Sequence, residues 1–139
     1  MSENSPYDAP ESDVAVSSGT SKLSLKEIYF SFKGRIPRKV FWIHGMLGMI
    51  GASIVVGIVI GGLAALIGGA AMILLIPFYI VLVWAGLAIS IKRWHDRSKS
   101  GWWVLIGIVP IIGLWAIIET GFLETIPGDN EYGPEPGEY

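Results

Sequence analysis

Cysteine does not occur in this 139-residue chain, which excludes disulfides, thiolate metal sites and a cysteine nucleophile. Charge is scarce: 16% of residues are Asp, Glu, Lys or Arg, against about 25% in a typical soluble domain. Between Val40 and Ile91, a run of 52 residues, there is no formal charge at all. No Lys or Arg precedes Lys22 and none follows Lys99. Residues 1–21 therefore lack the cationic start of a secretory signal, and they hold no apolar core of the needed length. What is abundant instead is apolar surface, at 52% of residues. Together these values predict a single-domain membrane protein.

Composition divides the chain into three parts. Residues 1–21 are rich in Ser, Pro, Asp and Glu and are expected to be disordered, because they cannot bury enough apolar surface to offset chain entropy. Residues 22–123 form the expected membrane domain. It opens with an amphipathic helix at about 24–33, signalled by the capping box Ser24/Glu27 and by Leu25, Ile28, Tyr29 and Phe32 on one face. Lys22, Lys26 and Lys33 surround that stripe, a pattern suited either to the membrane interface or to packing against the end of a bundle.

The uncharged run is long enough for two helical crossings of about 20 residues each and too short for three. Gly68-Gly69 is the best turn, giving helices at about 37–67 and 71–92 with Pro77 early in the second. A third apolar run, with ten Val, Leu and Ile residues between Val104 and Ile118, predicts a third crossing at about 102–122, kinked at Pro110. Residues 124–139 are acidic and Pro/Gly-rich, and read as exposed loop.

All ten Lys and Arg residues lie either before the first long helix or in KRWHDRSKSGWW, residues 92–103. The positive-inside rule places both segments in the cytoplasm. Three crossings then put the N-terminus inside and the acidic C-terminal tail outside. On this reading residues 92–103 are a cytoplasmic loop, with Trp42, Trp94, Trp102 and Trp103 as interfacial anchors.

FKGRIPRKVFW (32–42), RWHDRSKSGWW (93–103), PIIG (110–113) and PGDNEYGPEP (127–136) occur in that order. Together they resemble the YhaH-type family of small bacterial inner-membrane proteins, which carries a domain of unknown function. The likeness covers nearly everything after residue 25. It implies a bacterial inner-membrane location and several transmembrane helices, and it supplies no activity. The family's motif residues fall here on Gly34, Arg35, Arg38, Trp42, Arg93, His95, Asp96, Ser100, Gly101, Trp102, Trp103, Asn130, Gly133 and Pro134. His44 and the glycine-dense first helix lie outside the pattern. The family shape of the last segment hints that it folds back onto the bundle.

Three constellations carry possible chemistry. Arg35, Arg38 and Lys39 near the start of the first long helix, with Arg93 and Arg97 from the second, are a candidate clamp for an anion or lipid headgroup. The alternative is that they only set topology. His95 and Asp96, with Ser100 nearby, form a polar motif. Neighbours on a helix point about 100° apart, so Asp96 is expected to pair with Arg35, Arg38 or Arg93 and pin the first two helices together, or to cap a local turn. Ser53, Gly57, Gly61 and Ala65 form a small-residue stripe that suits close helix packing, within one chain or between copies.

No catalytic residue, metal site, cofactor or nucleic-acid partner is expected. The fold class is an all-α integral membrane protein with three transmembrane helices and an N-terminal interfacial helix. The function it suggests is non-enzymatic: binding a protein partner or anionic lipid through a basic cytoplasmic face, alone or as a homo-oligomer. An oligomeric transporter or channel component is the second reading. A lipid-modifying enzyme using His95 and Asp96 is the third.

Overall fold

The computed structural model describes residues 21–139. The tail expected at residues 1–21 lies outside the described residues except for Ser21. That residue is held: its amide donates to the Glu135 carbonyl at 3.2 Å, and its carbonyl accepts from the Gly137 amide at 3.0 Å.

Helix α1 spans Leu25–Phe30 and is shorter than the predicted 24–33. The capping box forms as the sequence indicates. The Ser24 hydroxyl accepts from the Glu27 amide at 3.3 Å, and the Glu27 carboxylate accepts from the Ser24 amide at 2.8 Å. That hydrogen bonding to Ser24 holds the Glu27 carboxyl below its usual range. Ile28 is buried, while Leu25 and Phe30 stay exposed. The chain becomes extended at Ser31 and turns at Gly34, whose φ of +91° suits glycine.

Two long apolar helices follow. Helix α2 runs from Arg38 to Ile67, with extended Pro37 just outside its first turn. Thirty residues at 1.5 Å each give about 45 Å, longer than a bilayer core of about 30 Å, so the helix must tilt or protrude. Phe41–Leu47 is wound as a wider π-helical stretch. There, glycines allow neighbours in close: an added Cβ would lie 3.2 Å from Ile89 at Gly45 and 3.1 Å from the Tyr29 hydroxyl at Gly48. Gly68, at φ +81°, ends α2 where the sequence placed the turn.

Helix α3 then runs from Gly69 to Asp96. Its first six residues, Gly69–Leu74, are 3-10, and Pro77 falls near the start of the regular α part. It extends beyond the predicted 71–92. Lys92–Asp96 form its last turn, and the connecting loop shrinks to four residues, 97–100. This corrects the reading of residues 92–103 as one loop. Their charges find partners inside the protein, so the helix need not end where they begin.

The third apolar run departs most from expectation. It forms two short arms: α4, a 3-10 helix over Gly101–Ile108, and α5, Pro110–Phe122. Pro110 has no N–H to continue the ladder, and it forces Val109 out of the helical region, to φ −86° and ψ 115°. The arms fold back on each other. A Cβ on Gly113 would lie 2.9 Å from the Gly107 carbonyl, and the Trp103 and Trp115 rings stand 6.0 Å apart. At about 16 Å and about 20 Å, neither arm is as long as a bilayer core is thick. The all-helical membrane class stands, with two helices long and apolar enough to cross. The hairpin α4–α5, however, leaves and returns at the end of the bundle that holds Arg93. The acidic tail is therefore beside the basic segments, not across the bundle from them.

The buried cluster Ile28, Ile36, Val40 and Ile89 sits at that same end, joined by Leu23, Tyr29, Phe41, Met49 and Tyr139. Toward the α2–α3 turn most large apolar side chains face outward, Ile58 at 71% exposure and Leu66 at 83%. Such surface suits a hydrocarbon surround. Gly57 and Gly61 have nothing within 4 Å of an added Cβ. Within the stripe Ser53, Gly57, Gly61, Ala65, the two glycines thus do not bring α2 close to the other described residues, while Ser53 is half-buried beside a hollow shared with Leu82. Ser53 donates back to the Met49 carbonyl at 2.8 Å.

Candidate functional site

The polar end is organised by the last turn of α3. Lys92 and Arg93 are adjacent and point apart around the helix, so each reaches a different neighbour. The Lys92 ammonium donates to the carbonyl of Glu27 at 3.0 Å and to that of Ser31, at the C-terminal end of α1. The Arg93 guanidinium donates to the carbonyls of Thr120 and Leu123, at the C-terminal end of α5. Both cations thereby meet carbonyls near the negative pole of a helix. Both residues are fully buried.

Asp96 lies one turn on and accepts from two arginines. Arg93 bonds one carboxylate oxygen, and Arg35 approaches the other at 3.2–3.3 Å. All three side chains have no solvent exposure. Two cations against one anion leave a positive excess, and backbone carbonyls of the tail meet it. Arg35 also donates to Gly128 at 2.6 Å and to Ile126 at 2.7 Å. Asp96 takes Arg35 and Arg93 together, which ties the end of α3 to the segment that precedes α2, since α2 itself begins at Arg38. The family-shape hint about the last segment describes the fold better than its composition did. Asn130 donates to the His95 carbonyl at 2.9 Å, and the Tyr132 ring stacks on His95 at 4.0 Å.

The five cations of the candidate anion clamp do not converge. Arg35 and Arg93 are spent inside. Arg97 pairs with Glu119 at 3.1 Å and donates to the Glu124 carbonyl at 2.7 Å. Arg38 pairs with exposed Glu124 at 3.1 Å, and Lys39 reaches the Tyr139 main-chain oxygen. Arg38 and Lys39 line an open cleft of about 510 Å³ together with Glu124 and Glu138, so acids of the tail already balance their charge. A phosphate clamp built from all five is incompatible with this burial.

His95 and Asp96 do not bond one another. The His95 ring turns to the Gly34 carbonyl, 3.3 Å from Nδ1. Ser100 precedes α4 and accepts from the Trp102 amide at 3.4 Å. Among the described residues no group of three His, Asp or Glu side chains is placed to hold a metal.

The tryptophans divide. Trp102 is 79% exposed. Trp42 donates to the Gly121 carbonyl at 2.7 Å and rests against Phe122. Trp94 is buried, which corrects its reading as an anchor. It packs with Trp103 and Trp115 at 5.8–6.0 Å under the Lys99 ammonium, which also pairs with Glu119 at 2.5 Å. His44 is a packing residue, its Nδ1 3.1 Å from the Tyr29 hydroxyl.

Sequence reasoning missed Lys92, Trp115, Glu119 and Tyr132. Glu119 carried a usable signal, being the first acid after the apolar run. Lys92 carried none, since a lysine beside an arginine ordinarily reads as solvated charge.

A two-helix apolar bundle, a short hairpin and a buried arginine–aspartate junction define a small helical membrane protein whose polar layer is tied by its own tail. The model for the family described as "Protein of unknown function (DUF805)" matches residues 29–134, and the chain belongs to that family. It is 31% identical over 114 residues to inner membrane protein YhaH of Escherichia coli, covering 82% of this chain and 93% of that one. With inner membrane protein YhaI of the same organism it shares 32% identity over 115 residues, covering 82% and 92%. Uncharacterized protein YiiR is 37% identical over 100 residues, covering 69% of this chain and 64% of its own. No solved structure matches. The protein is thus a helical inner-membrane protein of the YhaH-type family.

Proposed function

We propose that the protein is a non-enzymatic membrane component that engages anionic lipid headgroups from the cytoplasmic side through its lead-in helix. The observation that carries this reading is the division of the cations. Arg35, Lys92, Arg93, Arg97 and Lys99 are committed to internal partners, whereas Lys22, Lys26 and Lys33 are exposed around α1. Leu25 and Phe30, 60% and 55% exposed, supply an apolar edge beside those lysines. A short basic helix with an apolar edge is suited to an anionic interface. The charge bias supports a cytoplasmic position for this end, and its internal contacts then bring both the lead-in helix and the tail to the cytoplasmic side.

Near an anionic surface each lysine contributes about 1 kcal/mol, so three are worth on the order of a hundredfold in lipid retention. Native mass spectrometry in mild detergent with added phosphatidylglycerol tests this. The K22Q/K26Q/K33Q variant is expected to lose bound lipid, and R38A/K39A to keep most of it. Equal retention in wild type and the triple variant contradicts the proposal. Loss of a stoichiometric protein partner, with lipid unchanged, would move the same lysines to a protein interface.

A further inference from the structure

Beside the junction runs a groove of about 480 Å³, within the usual range of about 300–1,000 Å³ for ligand sites. Phe32, Leu87, Ile91, Trp102, Val104 and Leu105 wall it, and His95, Ser100 and Tyr132 lie at its polar end. Leu87, Trp102 and Leu105 are exposed on the apolar belt, so the groove opens sideways where lipid chains lie. It penetrates from the level of His95 to that of Leu87, eight residues or about 12 Å along α3.

The polar end defines what fits. The Gly34 carbonyl can only accept, so the proton of a neutral His95 ring stands on Nδ1 and Nε2 is left as an acceptor. Among the described residues no hydrogen bond occupies Nε2. The Ser100 hydroxyl accepts from the Trp102 amide, which leaves its own proton to donate. Gly101 keeps the end open: an added Cβ would stand 3.4 Å from His95 Nε2 and 2.8 Å from Ile91. No Lys or Arg lines the groove, and Lys92, on α3 beside it, is bound to the carbonyls of Glu27 and Ser31. The groove thus combines an apolar trough, one acceptor, one donor and no charged side chain in its lining.

We infer that this groove holds one acyl chain of an uncharged, hydroxyl-bearing glycerolipid of the diacylglycerol type. The lipid hydroxyl donates to His95 Nε2, and Ser100 donates to an ester oxygen. Tyr132, stacked on His95, fixes the ring plane, so the acidic tail acts as the lid over the headgroup. This site is separate from the lysines of α1 and draws on none of them.

The test is photolabelling in proteoliposomes with a diacylglycerol bearing a diazirine in one acyl chain, followed by peptide mapping. Label is expected on Leu87–Ile91 and Trp102–Leu105. Unlabelled diacylglycerol should compete, and phosphatidylglycerol should not. L105W, which fills the trough, should abolish the label there, while I58W on the exposed face of α2 should leave it unchanged. H95F keeps a flat ring against Tyr132 and removes the acceptor; it should weaken labelling about fivefold, the effect of one hydrogen bond. The K22Q/K26Q/K33Q variant should label like wild type. Label spread evenly over α2 and α3, groove labelling indifferent to both L105W and H95F, or equal competition by phosphatidylglycerol would overturn the assignment. Should L105W fail to fold, H95F and the competition series decide.

Discussion

Asp96 balances two buried guanidinium groups, and among the described residues no second carboxylate pairs with either of them. Removing one member of a buried ion pair typically costs about 3–5 kcal/mol, because the remaining charge is left in a low dielectric. D96A is therefore expected to destabilise the protein by about that amount, measured as loss of monodisperse protein on heating in detergent. H95A removes a ring stack and should cost only about 0.5–1.5 kcal/mol. A comparable loss in both variants would mean that the junction is not organised around the carboxylate. Glu27 offers a pH test. Its carboxyl is held below the usual range by Ser24, so the cap's contribution is present above the normal carboxylate range and lost as pH falls through the lowered value. Amide exchange over Leu25–Phe30 should accelerate on acidification, and E27Q should remove that dependence.

The parts of the elements that depend on neighbouring residues alone were readable in the sequence. Ser24 and Glu27 make their box, Gly68 turns the chain, and Pro110 breaks the third run. The consequence of Pro110 was not readable, since a kinked crossing and a folded-back hairpin share one apolar pattern. What selects the hairpin is remote: Arg93 takes the carbonyls at the end of α5, and Gly113, having no side chain, lets the Gly107 backbone come close. The extent of α3 was hidden in the same way. Lys92 and Arg93 looked like the start of a loop, yet each completes the end of another helix. K92M should consequently leave α3 intact and release α1, seen as faster exchange at Leu25–Phe30 with α3 still protected. Equal loss of protection in both helices would show that Lys92 supports the bundle as a whole.

On the scale of the whole molecule, the candidate clamp was legible as a set of residues and misleading as a surface. Charge and hydropathy correctly gathered Arg35, Arg38, Arg93 and Arg97 at one end. They gave no sign that the acidic tail would return there and supply carbonyls and carboxylates, because backbone acceptors leave no mark in composition. The motif residue Asn130 and its neighbour Tyr132, in a stretch otherwise read as turn, fasten that tail to α3. One polar layer at one end therefore organises the molecule, with two long helices leaving it and a hairpin returning to it.

The absence of cysteine makes this directly measurable. Single substitutions K26C, S98C, E138C and G69C would be probed in intact cells with a membrane-impermeant maleimide, and again after permeabilisation. Positions 26, 98 and 138 are expected to label only after permeabilisation, and position 69 from outside. Labelling of position 138 in intact cells, with 26 and 98 protected, would restore a third crossing and contradict the hairpin.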